Sequence, residues 1–320
     1  MKIRIIDRQI EIGSKRLPLI SGEFHYWRVS KSNWEAVLEA IKGLGLEIVA
    51  TYVPWNYHEI SPGEYDFEGG TAPERDLVGF IEMTRAKGLY LIMRPGPYIY
   101  AEWPNGGPPD RAVKLPRLDP RFLEMAEDYI RAVCRVMTPH LATRGGNIVL
   151  VQVDNEPYPA IPSRGEEMGC YGKEGLFKEW IAKLYEGNIK SLNQAWQSNY
   201  TAFNEVCLFY EECYINREIP LNGRLLAHPA FRQRFIDSQH FVEFYGTEII
   251  RRLAEIYRRE GIDVPLYANG WHPYAQNFEQ LRVVVDLTGV DGLTRHVPYF
   301  EEDGREFEDE FQWYLESLKM

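Results

Sequence analysis

Carboxylates, amides and aromatic rings recur together at five places in this 320-residue sequence. They are Glu23-Phe24-His25-Tyr26-Trp27-Arg28, Tyr52-Val53-Pro54-Trp55-Asn56-Tyr57-His58-Glu59, Arg94-Pro95-Gly96-Pro97-Tyr98 with Glu102-Trp103 close behind, Asn155-Glu156-Pro157, and Asn269-Gly270-Trp271-His272. Each follows an apolar run. The mixture suits a sugar, whose C–H faces stack on rings while its hydroxyls take directional hydrogen bonds from carboxylates and amides. Metal chemistry is not expected: His25, His58 and His272 match no zinc spacing and read as hydrogen-bonded supports. Glu23 and Glu59 are candidates for a pocket rim, or for ion pairs with Arg28 and similar neighbours.

The elements that must hold these groups are strands alternating with helices. Runs rich in β-branched and aromatic residues fall at 17–26, 46–55, 89–97, 147–155, 264–270 and 291–297. Most are nearly continuous in apolar character, as parallel strands covered on both faces must be, and helical patterns separate them. Ser32 is expected to cap the first helix with Glu35 three residues on, and Gly43 or Gly45 to end it; Asp119-Pro120 starts another. Met1–Asp7 alternates like a short strand. The long stretch 157–228 contains helical patterns at Gly175–Tyr185 and Ile189–Trp196 and reads as an excursion over a barrel mouth within one domain, 1–320. In such an α/β architecture the chemistry sits at the C-terminal ends of the strands, where the five clusters lie.

Composition narrows the class further. An apolar fraction of 45% with 8 Trp, 20 Tyr and 15 Phe supplies a large core, and no run of about 18 apolar residues suggests a membrane span. A formal charge of -11, spread along the chain, argues against nucleic-acid partners, which call for a basic face. The opening segment lacks the apolar core and cleavage site of a secretory signal, so a cytoplasmic location is the default expectation. Cys134, Cys170, Cys207 and Cys213 show no C-x-x-C spacing, and Cys134 lies on an apolar helix face as a buried free thiol would.

In order and spacing, SGEFHYWRV, TYVPWNYHE, RPGPYIYAEWPNGG and VQVDNEP resemble the motifs of glycoside hydrolase family 35, the β-galactosidase family, with its exo-β-D-glucosaminidase members nearest in look. The resemblance covers most of 17–160 and resumes at DVPLYANGW. It implies a TIM (β/α)8 barrel in which the general acid/base follows an Asn at the end of strand four, which Asn155-Glu156 matches, and a nucleophilic Glu ends strand seven. Retention of configuration requires the two carboxyl groups to lie about 5 to 5.5 Å apart, one protonated to release the leaving alcohol and one ionised to attack the anomeric carbon. By the same resemblance Asn155 bonds a ring hydroxyl, commonly at C2, and Tyr52 and Glu102 bind hydroxyls of the terminal sugar. Ala101, Tyr98 and His25 complete the candidate substrate contacts. Tyr100 replaces the family's usual Cys. The plainer roles are a helix cap for Glu156 and barrel packing for Tyr52; no metal or organic cofactor is implied.

After the sixth strand, GREFEDEFQWYLESLKM reads as a sixth crossover helix, with Phe307, Phe311, Tyr314, Leu315 and Leu318 at helical spacing. No apolar strand leads into Glu301, Glu302 or Glu310. The expectation is that about six of eight β/α units are present, with strands seven and eight and the nucleophile elsewhere, and that open sheet edges pair in a homo-oligomer or with a second chain completing the barrel. Two functions fit the residues: an exo-acting retaining β-glycosidase releasing terminal β-linked glucosamine or galactose from oligosaccharides, or a non-catalytic sugar-binding or assembly subunit of a split enzyme.

Overall fold

The computed structural model describes residues 2–6, 9–157, 175–208, 229–269 and 292–294. The sixth crossover helix, Glu301, Glu302 and Glu310, Trp271 and His272, Cys170 and Cys213, and most of the remainder of the 157–228 excursion lie outside the described residues.

The chain opens with an antiparallel meander of β1 (Ile3–Ile6), β2 (Gln9–Ile12) and β3 (Lys15–Pro18). Ile3 opposite Ile12, and Ile10 opposite Leu17, bury one face of it. Gly13, at φ 61, makes the two-residue turn into β3, a conformation that costs a glycine nothing. This corrects the expected strand at 17–26. Leu17 belongs to the meander, and only β4 (Gly22–Glu23) joins the main sheet.

After β4 come helix α1 (Trp34–Gly43), strand β5 (Ile48–Tyr52), the single turn α2 (Trp55–His58) and a small hairpin, β6 (Glu59–Ser61) with β7 (Glu64–Tyr65). Then follow α3 (Leu77–Ala86), β8 (Tyr90–Arg94), α4 (Asp110–Val113), α5 (Pro120–Met137) and β9 (Ile148–Gln152). The later elements are α6 (Leu176–Leu184), α7 (Ile189–Trp196), α8 (Pro229–Arg259), β10 (Leu266–Asn269) and β11 (Gly292–Thr294). The main sheet runs β4-β5-β8-β9-β10-β11, every neighbouring pair parallel. These are successive strands of a (β/α)8 barrel, six of them among the described residues.

The sequence explains the layers. β5 and β9 are buried along their whole length, as the continuous apolar runs require. Trp34, Leu38 and Ile41 put the buried face of α1 at helical spacing, and truncating such a residue, Leu38→Ala for example, costs about 2–5 kcal/mol. Ser32 does not cap α1: Lys31–Asn33 form a 3-10 turn that leads into the helix, with no side-chain cap at Asn33. Gly45, at φ 81, follows the helix end as expected. Asp119 does cap α5, its carboxylate accepting from Arg121 N at 2.8 Å beside Pro120 in the first turn. Cys134 is buried on α5 and, like Cys207, is a free thiol.

By contacts the chain divides into two compact units, Met1–Lys114 with Asp119–Pro157 and Ile250–Met320, and Leu115–Leu118 with Tyr158–Ile249. The second is organised around Asp237, whose carboxylate accepts from Tyr185 OH at 2.5 Å, Trp196 Nε1 at 2.7 Å and Gln233 Nε2 at 2.8 Å. Among the described residues no helix is long and apolar enough to cross a membrane.

Candidate active site

Arg94 closes β8, and its buried guanidinium organises the strand ends around it. Nε donates to Gln152 Oε1 at 2.8 Å, Nη1 to Glu23 Oε1 at 2.6 Å, and Nη2 to the Tyr52 hydroxyl, with Asn155 Oδ1 at 3.4 Å. The guanidinium carbon also sits 3.7 Å from the centre of the Tyr52 ring.

An arginine only donates, and this fixes every amide beyond it. Gln152 must present its oxygen to Arg94, so its nitrogen faces Asn155 Oδ1 and Asn269 Oδ1, both at 3.0 Å. Asn269 Oδ1 also accepts from the backbone N of Glu156 at 3.1 Å, which turns Asn269 Nδ2 onto Asn155 Oδ1 at 2.7 Å. Tyr52, accepting from Arg94, donates to the same oxygen at 2.8 Å. The Asn155 oxygen is therefore saturated from within, while its NH2 group has no hydrogen-bond partner among the described residues. Asn155 is 2% exposed, so this amide is held rigidly.

Beyond β9 the backbone turns sharply. Asp154 and Glu156 adopt φ of 57° and 43°, left-handed conformations that cost a side-chain-bearing residue about 1–2 kcal/mol each. Tertiary bonds hold them there: Asp154 N donates to Gly96 O at 3.1 Å, and Asp154 Oδ1 accepts from Tyr98 N at 2.8 Å. Glu156 is half-buried.

The neighbouring loop is more unusual. Tyr100, Ala101 and Glu102 have φ of 52°, 49° and 47°, a turn closed by Trp103 N donating to Tyr100 O at 2.9 Å. Arg28 clamps it by donating to Ala101 O while lying 4.5 Å over the Trp27 ring. On the other side Asn56 accepts from Trp103 Nε1 at 2.6 Å and donates to Pro104 O at 3.0 Å. Glycine is required at 106, where φ is 68° and a Cβ would meet the Tyr100 ring at 2.8 Å. Glu102 projects from this turn, exposed and with no side-chain partner among the described residues.

The expected site residues thus fall into groups. Tyr52 and Asn155 are directly bonded, with the Glu156 backbone joined to them through Asn269. His25 packs against Tyr52, ring centroids 5.2 Å apart, and against Trp27 at 5.3 Å. Tyr98 is buried against Phe122, its backbone bonded to Asp154. Ala101 contributes its carbonyl to Arg28.

The ion-pair reading of Glu23 and Glu59 holds, with arginines other than Arg28: Glu59 is bound two-pronged by Arg111 at 2.6 Å on each oxygen, and Glu23 pairs with Arg94, while Arg28 donates to the 100–102 turn. His58 is the support foreseen for lone histidines: Nδ1 donates to Asp66 O at 2.6 Å and Nε2 accepts from Tyr26 OH at 2.6 Å. His25 is not, since its Nδ1 is buried without a partner. Burial pushes the pKa of both histidines down to about 4, with Arg28 and Arg94 adding to the effect at His25. Both are neutral near pH 7.

Sequence reasoning missed Gln152, Asn269 as a bridge between amides, and Tyr267. A polar residue inside the apolar run VLVQV is the signal that marks Gln152. Tyr267 reads as an ordinary strand aromatic, yet it is 8% exposed near Arg94 and Glu23, and burial pushes its hydroxyl up to about 12. Among the described residues no three His, Cys, Asp or Glu side chains come together as metal ligands would.

Comparison with known proteins agrees with this geometry. The model of Glycosyl hydrolases family 35 matches residues 9–254. The exo-beta-D-glucosaminidase of Pyrococcus horikoshii is 30% identical over 295 residues, which cover 83% of this chain and 35% of that protein. The beta-galactosidase of Mus musculus is 41% identical over 142 residues, covering 43% of this chain and 21% of that protein. In fold, the beta-galactosidase from Bacillus circulans sp. alkalophilus superposes with a TM-score of 0.64 at 17% identity, over 94% of this chain and 43% of that one. The chain spans little more than a third of the length of the curated exo-beta-D-glucosaminidase it matches. A family match over more than two thirds of the chain means that this chain belongs to glycosyl hydrolase family 35.

Proposed function

We propose that this chain carries the acid/base half of an exo-acting, retaining β-glycosidase site, with Glu156 as general acid/base and Asn155, Tyr52, Glu102, Ala101, Tyr98 and His25 around the terminal sugar. The observation that carries the reading is the amide of Asn155. Its oxygen is saturated by Tyr52, Gln152 and Asn269, so the NH2 group beside Glu156 is the donor left for a ligand. A donor fixed before the sugar arrives costs no reorganisation when charge develops at the ring, which is how such contacts favour the transition state.

In the first step the Glu156 carboxyl gives its proton to the glycosidic oxygen as the C1–O bond breaks, and a second carboxylate forms an ester to C1. In the second, the Glu156 carboxylate takes a proton from water as that water attacks C1 and the ester bond breaks. The attacking carboxylate is expected from a seventh strand, by the family pattern. No metal or organic cofactor enters these steps. The excursion 157–228 belongs, on this reading, to the same catalytic domain. Oligomerisation, or pairing with a second chain that completes the sheet, is the accompanying proposal.

The preferred substrate is a terminal β-linked glucosamine, with galactose second. The relative aligned over 83% of this chain is named an exo-beta-D-glucosaminidase, whereas the match to the beta-galactosidase covers 43%. The test uses the intact protein and Glu156→Gln. Loss of a general acid costs about 100- to 10,000-fold, and it should fall on alkyl glycosides far more than on aryl glycosides with good leaving groups. Equal loss of kcat/KM on both substrate types would remove Glu156 from this role.

A further inference from the structure

On the Nη1 side of Arg94 the strand ends hold polar atoms to which the proposed function assigns no particular group of the sugar. Glu23 Oε1 accepts from Arg94 at 2.6 Å, but Oε2 has no partner among the described residues, and the side chain is 43% exposed. Tyr267, from β10, is 8% exposed and its hydroxyl has no hydrogen-bond partner among the described residues. His25 Nδ1 is buried without a partner, while Nε2 stands 3.8 Å from Glu23 Oε1. Buried phenols and imidazoles ordinarily find partners, so three unspent groups around one guanidinium need an explanation.

We propose that Glu23, Tyr267 and His25 form a second recognition corner for the terminal sugar, in which Glu23 Oε2 accepts from a hydroxyl group that Asn155 does not contact. Arg94 makes the corner a built one. Its Nη1 orients Glu23 and its Nη2 bonds the Tyr52 hydroxyl that supports Asn155, so one guanidinium positions both recognition points. Holding the carboxylate in place beforehand removes the entropy that a free glutamate would lose on binding. His25, kept neutral by burial and by Arg28 and Arg94, leaves the carboxylate open to a donor from the ligand, and its own Nδ1 is able to donate or accept.

The inference rests on the proposed function, and its test separates the two. Glu23→Gln keeps an oxygen for Arg94 and the side-chain volume but replaces the open oxygen with NH2; Tyr267→Phe removes only the hydroxyl. With the intact protein, binding of glucosamine and of galactose is measured by calorimetry, and kcat/KM on 4-nitrophenyl β-glucosaminide, 4-nitrophenyl β-galactoside and the 3-, 4- and 6-deoxy galactosides. Glu23→Gln should weaken sugar binding and kcat/KM about 10- to 100-fold, the loss of a hydrogen bond to a charged group, with the melting temperature unchanged. One deoxy galactoside, the one lacking the recognised hydroxyl, should be cleaved equally by wild type and variant, and Tyr267→Phe should single out the same derivative. The proposal is overturned if Glu23→Gln leaves sugar binding unchanged, or if it slows every deoxy derivative by the same factor, which would mean action through Arg94 alone. Failure of wild type to turn over any glycoside would count against the proposed function, while calorimetry would still read the corner.

Discussion

His25 and His58 are the same residue type, in the same unit, with the same depressed pKa, yet they belong to different regions. Around His58 the charged and imidazole groups are spent: its ring nitrogens on Asp66 and Tyr26, Glu59 on Arg111, and Asp66 on the backbone of Glu68, Gly69, Gly70 and Thr71. Around His25 groups are held rigid and left open: Asn155 NH2, Glu23 Oε2, the Tyr267 hydroxyl and Glu102. Burial penalises an unpaired polar atom by about 1–3 kcal/mol, so a region that keeps several of them bears a cost that a ligand can offset. In the support region changes should register in stability, and at the mouth in binding and turnover.

The largest expected effect is at the mouth. Asn155→Asp keeps an inward oxygen for Tyr52, Gln152 and Asn269 and removes the outward donor, so kcat/KM should fall about 100- to 1,000-fold, the usual loss for a preorganised donor. The melting temperature should barely move. A loss under about tenfold would mean that the open amide is not a substrate contact.

Arg94 holds the strand ends of the mouth together, and Arg94→Met should lower both stability and turnover. It strands Glu23, Gln152 and Tyr52, and breaking a charged, buried network of this kind costs about 3 kcal/mol of unfolding free energy, measurable by urea titration. If stability is unchanged, the network is not what holds the strand ends.

His58 tests the support region through pH. Its pKa is about 4 in the folded chain against 6.5 ordinarily, so unfolded chains take up the proton first as pH falls. Its contribution is full above pH about 6.5 and is lost progressively down to pH about 4, amounting to about 3 kcal/mol for a shift of this size. His58→Gln should flatten the acid side of the stability profile by about one proton; an unchanged slope between those pH values would show that His58 titrates normally.

The smallest effect on stability is expected at Glu102. Glu102 is exposed and has no side-chain partner among the described residues, so its replacement by Ala should change unfolding free energy by less than about 0.5 kcal/mol while raising KM for the preferred glycoside. A stability loss with unchanged KM would move Glu102 from the open region to the support region.

Much of this division was invisible in the linear chain. The parallel sheet was legible because strands covered on both faces are nearly continuous in apolar residues, as IVATY and IVLVQ are, and the polar clusters at their ends were legible because that is where apolar patterning stops. Helix α7 was readable from spacing alone, Ile189–Trp196. The first strand was misplaced because LPLISGEFHY is apolar across two sheets, and nothing local marks the change of partner after Pro18.

The sequence by itself determined the residue types, the order of the β/α units and the strand ends at which Asn155, Glu156 and Tyr52 emerge. Only the tertiary structure decided which polar atoms are used up. Tyr52 meets Arg94 across 42 residues, and Asn155 across 103; Asn269 meets Asn155 across 114. Hydrogen bonding saturates, with two lone pairs to an oxygen and a fixed number of protons to a nitrogen, so whether a group is free for a ligand depends on partners that spacing along the chain does not reveal. The left-handed turn at Tyr100–Glu102 is of the same kind: no local preference selects it, and Arg28, Asn56 and Gly106 impose it from outside.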